Sequence, residues 1–202
     1  GIQAKVTDAK ARRVGDKVFS KEYSGCRMDM ASARSAGNLR ATDKRILVRD
    51  EISGAPAKLT TGEGYWMDVS WARTNSWRER RKVLDFGTPT TYEECETWKA
   101  YLEGDQRHYI MPCPHCGTFQ PFDFGTEGSV HGLKGETKAG ALDLVYYICD
   151  HCHDAIFDHD KAEMLQAGNW EPTSTSVNPY WTSRHASSLY SPFMPFYEIW
   201  GH

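Results

Sequence analysis

No apolar run in the 202 residues approaches the roughly 20 that a membrane-spanning helix needs, so no transmembrane segment is read. No secretory leader is read at the start of the chain either. A polybasic tract is lacking too. Lys and Arg number 24 against 27 Asp and Glu, a net charge of −3. That balance excludes a histone-like chain and leaves room only for a local basic face. Internal repeats and low-complexity tracts are absent, as are His-Glu-x-x-His and the deaminase-type His-x-Glu. No Gly-Lys dipeptide occurs, so the phosphate loop Gly-x-x-x-x-Gly-Lys-Ser/Thr is missing from these residues. Hydrophobic residues make up 40%, an ordinary globular share. The chain opens on Gly1 and closes on Trp200-Gly201-His202, and we expect a piece of a larger protein.

Six cysteines are present. Four of them form two Cys-x-x-Cys pairs, Cys113/Cys116 and Cys149/Cys152. Each pair presents two thiolates from a tight knuckle, and four thiolates complete a closed tetrahedral zinc shell. A strand leads into each knuckle, His108 to Met111 and Leu142 to Ile148, as in a zinc ribbon, and a protruding hairpin would absorb the long insert. His115, His151 and His153 are rival ligands that four cysteines make unnecessary. A shell of four protein ligands leaves no place for water, so the zinc is expected to be structural. Cys26 and Cys95 read as small buried fillers.

Elsewhere strands alternate with helices. Lys44 to Val48 is a short β-branched strand running into Arg49-Asp50-Glu51. Gly54, Pro56, Gly62 and Gly64 mark loops before a helix from about Met67 to Arg80. Lys82 to Phe86 is a second strand, ending at Gly87-Thr88-Pro89-Thr90. A helix to about Leu102 follows, with Glu93 and Glu94 in its first turn, where the helix dipole favours them. Ser32 to Leu39 reads as a short helix or loop interrupted by Gly37-Asn38, and Asp160 to Ala167 as a helix stopped by Gly168. This order predicts an α/β fold with a partial P-loop-type parallel sheet and an inserted four-cysteine zinc ribbon. Acids at the end of an apolar strand support Mg²⁺ and activate water in ATPases, and hydroxyls at the end of the next strand sense the γ-phosphate. Alone, Asp-Glu after a strand is more often a solvated turn, and Gly87 to Thr90 is an ordinary turn with Pro89 fixing φ.

The chain resembles the large terminase subunits of lambda-like tailed phages, the motors that package viral DNA. The resemblance rests on Leu39-Arg40, Ile46 to Glu51 and Gly87-Thr88-Pro89-Thr90. It continues through Gly104-Asp105-Gln106-Arg107-His108-Tyr109, Met111 to Gly117, Gly168-Asn169-Trp170 and Leu189-Tyr190-Ser191-Pro192-Phe193. Arg49 within the acid strand departs from the family pattern, as does Gly87, where Ser is more usual. The resemblance implies that residues 1–107 are the second half of the ATPase core, 108–158 a zinc-ribbon insertion, and 159–202 a return to the core and the start of a linker toward an absent nuclease. It implies Asp50 for the Mg²⁺ of Mg-ATP, Glu51 as the group that activates water, and Arg40 as an arginine reaching the neighbouring subunit's γ-phosphate. Thr88 and Thr90 would couple hydrolysis to movement. The implied partners are double-stranded DNA, a small terminase subunit, the portal of the procapsid and further copies in a ring, in the bacterial host's cytoplasm. The isolated piece is expected not to hydrolyse ATP.

Two other readings stay open on the residues alone. One is a non-enzymatic zinc-ribbon module binding nucleic acid or protein, using Trp77, Arg78, Arg80, Arg81 and Lys82. The other is a structural zinc protein of the virion.

Overall fold

The computed structural model describes residues 16–40, 43–55, 58–59, 62, 64–91, 95–139, 141–190, 194 and 196. The chain divides into two compact units, Gly1–Thr97 and Trp98–His202. Glu93, Glu94, Pro56 and Ser191 to Phe193 lie outside the described residues.

The first unit opens with an antiparallel meander of β1 (Asp16–Lys17), β2 (Ser20–Tyr23) and β3 (Cys26–Asp29). Cys26 is exposed on β3, so only Cys95 is the buried filler that composition predicts. Helix α1 (Ala36–Arg40) contains Gly37 and Asn38 within its one turn rather than breaking at them. Strands β4 (Ile46–Arg49) and β5 (Lys82–Asp85) pair in parallel, with Ile46 opposite Lys82 and Arg49 opposite Asp85. Helix α2 (Trp66–Ala72) makes the crossover between them and is shorter than the sequence predicts. The Ser70 and Thr74 hydroxyls donate to the Met67 and Trp71 carbonyls at 2.9 and 2.8 Å. Such back-bonding competes with the helix ladder, and Thr74-Asn75-Ser76 is a run of poor helix formers. The chain therefore tightens into a 3₁₀ turn at Asn75–Trp77. Ile52, Leu59 and Trp66 are buried, whereas Ile46, Val48, Leu84 and Phe86 are exposed. The two-stranded sheet therefore carries an apolar surface open to solvent.

Helix α3 (Glu96–Glu103) leads into the second unit, which contains two antiparallel sheets. One has the order β11 (Asn169–Glu171), β6 (His108–Pro112), β7 (Phe119–Pro121). The other has the order β10 (Ala155–Ile156), β9 (Ala141–Ile148), β8 (Gly132–Lys138), and its long β8–β9 hairpin absorbs the insert between the cysteine pairs. Helix α4 (Asp158–Ala167) starts two residues earlier than its sequence pattern, with the Asp160 carboxylate accepting the Phe157 N–H at 3.1 Å. Gly168, with φ −78°, ends α4 in an extended conformation. What requires glycine there is contact with β6: a Cβ would meet the Ile110 carbonyl at 2.7 Å. Met111, Phe122, Tyr147, Ile156, Leu189 and Phe196 form the core with Cys113 and Cys149, and the Phe122 and Tyr147 rings lie 4.3 Å apart. Met164, Leu189 and Phe196 thus contribute to the same core as the cysteine knuckles.

Candidate active-site edge and metal centre

Because β4 and β5 run in parallel, their carboxyl ends open at one edge, where open α/β sheets bind ligands. Asp50 and Glu51 follow β4 there, and Thr88 and Thr90 follow β5; all four are exposed. The ladder continues past the strands, with Phe86 N–H donating to the Arg49 carbonyl at 2.9 Å and Ile52 N–H to the Phe86 carbonyl at 3.1 Å. The two loops are thereby held side by side. Glu51 adopts φ +49°, a left-handed conformation uncommon for a residue with a side chain. Local bonds hold it: Asp50 Oδ1 accepts the Glu51 N–H at 3.1 Å, and the Glu51 carbonyl accepts the Gly54 N–H at 2.8 Å.

Sequence reasoning missed three supports of this turn. Arg49 Nε and Nη2 donate to Asp85 Oδ1 and Oδ2, each at 2.6 Å, and Nη1 donates to the Met67 carbonyl at 3.1 Å. The residue that interrupts the apolar run is thus buried against the carboxylate directly across the ladder. Charge of opposite sign at matching strand ends is the signal that reveals such a pair. Ser53 Oγ accepts the Thr97 N–H at 3.0 Å and shares a hydrogen bond with the Thr97 hydroxyl at 2.7 Å. Gly87 packs under that clasp, where a Cβ would stand 2.5 Å from Thr97 Oγ1.

Arg40 lies elsewhere. It is the last residue of α1 rather than a loop residue, and is exposed. Its carbonyl accepts from Arg73 Nη1 at 3.4 Å, and the Arg73 carbonyl accepts the Lys44 N–H at 2.8 Å. Lys44 precedes β4, so these bonds tie Arg40 to the amino-terminal end of the strands, opposite Asp50 and Glu51.

In the second unit the sulfurs of Cys113, Cys116, Cys149 and Cys152 all lie within 4.8 Å of one another. The two knuckles have the same local geometry. Gly117 N–H donates to the Cys113 carbonyl at 2.9 Å, and His153 N–H to the Cys149 carbonyl at 3.2 Å. The residues closing them, Gly117 and His153, have φ of +72° and +61°. The amides of His115 and His151 point at Cys113 Sγ and Cys149 Sγ, both at 3.4 Å. Buried Gln120 donates to Cys149 Sγ at 3.2 Å while its carbonyl takes the Asp150 N–H at 2.9 Å. Cys113 and Cys152 sulfurs stand 3.8 Å apart and those of Cys116 and Cys149 3.9 Å. Four sulfurs about 2.3 Å from a tetrahedral ion would be separated by about 3.8 Å, so the cluster fits such an ion.

Thiols this close cannot all ionise together without a cation. Hydrogen bonds from the Thr118 hydroxyl and amide bring Cys116 down to about 6. For Cys152 the Asp154 N–H pulls downward, yet burial and the neighbouring thiols prevail and push it up to about 12. A divalent ion removes this conflict by neutralising adjacent thiolates. The ring of His115 is turned to the Ala155 carbonyl, 2.9 Å from Nε2.

Among known proteins, the profile described as phage terminase large subunit gpA, ATPase domain, matches residues 1–170. The large terminase subunit of Enterobacteria phage P21 is 31% identical over 102 residues. That match covers 50% of this chain and 15% of the phage protein. No solved structure matches. Among the described residues, no helix is long and apolar enough to cross a membrane.

Proposed function

We propose, for a chain that belongs to the phage terminase large subunit gpA ATPase-domain family, that its first unit carries part of the nucleotide site of a DNA-packaging motor. The observation that carries the reading is the parallel pair whose adjoining carboxyl ends present Asp50-Glu51 and Thr88 to Thr90 side by side. The exposed apolar side chains of β4 and β5 support placing the pair within a larger P-loop-type sheet, since parallel sheets are covered on both faces. Asp50 would hold the Mg²⁺ of Mg-ATP, which neutralises charge on the phosphates. Glu51 would orient a water and accept its proton as the water oxygen attacks the γ-phosphorus and the bond to the bridging oxygen breaks. Thr88 and Thr90 would sense loss of the γ-phosphate. Arg40, at the far end of the strands from its own acids, suits action on a neighbouring copy, where a guanidinium stabilises the spreading charge.

In the whole protein this chemistry would drive double-stranded DNA into the procapsid, with the portal, a small terminase subunit and further copies as partners and an endonuclease elsewhere in the chain. The cysteine cluster would hold a structural Zn²⁺, because a closed thiolate shell offers no position for water.

Full-length protein is needed for the test. Glu51→Gln should bind nucleotide yet lose turnover, and Asp50→Asn should weaken the Mg²⁺-dependent step. Wild-type turnover in Glu51→Gln would falsify the assignment. Arg40→Ala copies should be inactive alone and regain hydrolysis when mixed with Glu51→Gln copies; no rescue leaves Arg40 a surface charge. Thr88→Ala and Thr90→Ala should reduce translocation more than nucleotide binding, and intact packaging in both would remove them from the coupling path.

A further inference from the structure

We propose that the amino-terminal rim of the β4–β5 pair is a docking surface for the phosphate backbone of duplex DNA. Two backbone bonds build this rim. Lys82 N–H donates to the Arg45 carbonyl at 2.9 Å, and Lys44 N–H to the Arg73 carbonyl at 2.8 Å. They gather residues 43–45 against residues 73–82, a stretch with five basic side chains and one acid in a chain of net charge −3. Of the acids here, Asp29 pairs with Lys44 at 2.5 Å and Asp43 accepts the Ser76 hydroxyl, while Glu79 stands among the basic residues and leaves the stretch with a surplus of positive charge. Arg45, Arg78, Arg80 and Lys82 are exposed, and among the described residues none of them enters an ion pair. Arg81 is fixed among them, its guanidinium 4.2 Å from the Trp71 ring centre. Arg80 lies 5.9 Å from the ring of Trp77, which is 37% exposed.

A single small anion would need a concave site with converging donors, whereas these cations follow one another along the chain at positions 78, 80, 81 and 82. Such a row matches a polyanion carrying one charge per roughly 1.7 Å of axis. The choice of duplex DNA among polyanions rests on the motor reading above. The nucleotide edge and the DNA rim then lie at opposite ends of the same two strands, each of them four residues long.

The test uses full-length protein without nucleotide and a labelled duplex of unrelated sequence. The triple variant Arg78→Gln, Arg80→Gln, Lys82→Gln should bind roughly 10- to 100-fold more weakly at low salt. Its log–log salt slope should be shallower by about 2 to 3, since each lost phosphate contact removes about 0.9. DNA-independent ATP turnover should be unchanged, and neutralising Lys134 and Lys138 on β8 should not alter the slope. A photo-crosslinking residue in place of Trp77 should join to DNA. Unchanged affinity and slope in the triple variant would overturn the proposal. So would crosslinking to a second copy of the protein in place of DNA, which would make the rim a subunit interface. DNA binding is read without ATP, so failure here is separable from failure of the Glu51 assignment.

Discussion

Removing Arg49 while leaving Asp85 tests how the acid strand is held. The guanidinium side chain is 6% exposed and the carboxylate 24%. Breaking a buried, bidentate pair by deleting one partner costs about 3–5 kcal/mol, because the other charge is stranded. The partly exposed Asp85 regains some hydration, so Arg49→Met should cost about 2–3 kcal/mol. Asp85→Asn strands the more deeply buried charge and should cost about 3–4 kcal/mol. The double variant Arg49→Met, Asp85→Leu should return to within about 1 kcal/mol of the parent, since an apolar pair needs no counter-charge. Amide hydrogen exchange of peptides covering β4 and β5 reads these costs directly. A loss of 2–3 kcal/mol appears as roughly 30- to 150-fold faster exchange. If Arg49→Met exchanges within threefold of the parent, or the double variant is worse than the two singles combined, the pair does not hold the strand.

Metal analysis of protein purified without chelator should find one zinc per chain. Cys113→Ser or Cys149→Ser should make residues 108–156 protease-sensitive, and metal-free protein with unchanged resistance would count against the site. Burial alone would raise the Asp29 carboxyl, but Lys44, Ser20 and Arg27 prevail and hold it at about 2. A carboxyl depressed in the folded state stabilises above its unfolded value near 4 and loses that contribution as pH falls through about 2. Asp29→Asn should therefore cost roughly 1 kcal/mol at pH 7 and nothing below pH 2, and an equal cost at both would show that the charge is not responsible. Gly87→Ser should destabilise the first unit by about 1–2 kcal/mol by displacing the Thr97 hydroxyl, and Thr97→Ala should relieve it; no relief would show that Thr97 is not the obstacle.

The acid strand and its parallel neighbour were legible because each is a short β-branched run closed by turn residues, with a helical stretch between. The knuckles were legible because Cys-x-x-Cys fixes its own local geometry. What escaped depends on register or on close approach. Arg49 looks like a defect until the ladder sets Asp85 opposite it. Gly87 looks like a lost hydroxyl until Thr97 is seen filling its space. At the second knuckle, His153 stands where the first has Gly117, and only the repeated left-handed turn reveals the equivalence. The first two are long-range pairings, invisible to a reading of neighbours along the chain, and the third is a local turn that histidine, unlike glycine, does not announce.

The block Gly104 to Tyr109, one of those that carry the family resemblance, is held by a dense set of contacts. A Cβ on Gly104 would stand 2.3 Å from Ser183 Oγ. Asp105 accepts from Arg107 Nε at 2.7 Å and from Ser183 N–H at 3.0 Å, and its carbonyl takes the N–H groups of Thr173 and Ser174, each at 3.2 Å. Burial alone would raise the Asp105 carboxyl, yet Arg107 and the Ser183 amide hold it below the usual range. Gln106 turns the chain with φ +51°, and Tyr109 donates to the Leu165 carbonyl while packing edge-on against Trp170, ring centres 5.1 Å apart. Asp105, through its carboxylate and its backbone carbonyl, therefore joins the entry of β6 to two later segments, and Tyr109 packs on β11 and bonds α4. Those contacts act through buried and partly buried atoms along residues 104 to 109. Asp50 and Glu51 are two exposed carboxylates, and the chemistry proposed for them asks only for a strand end and a held turn. The packed block and the proposed reactive group thus rest on different physics, and in this chain they lie in different units.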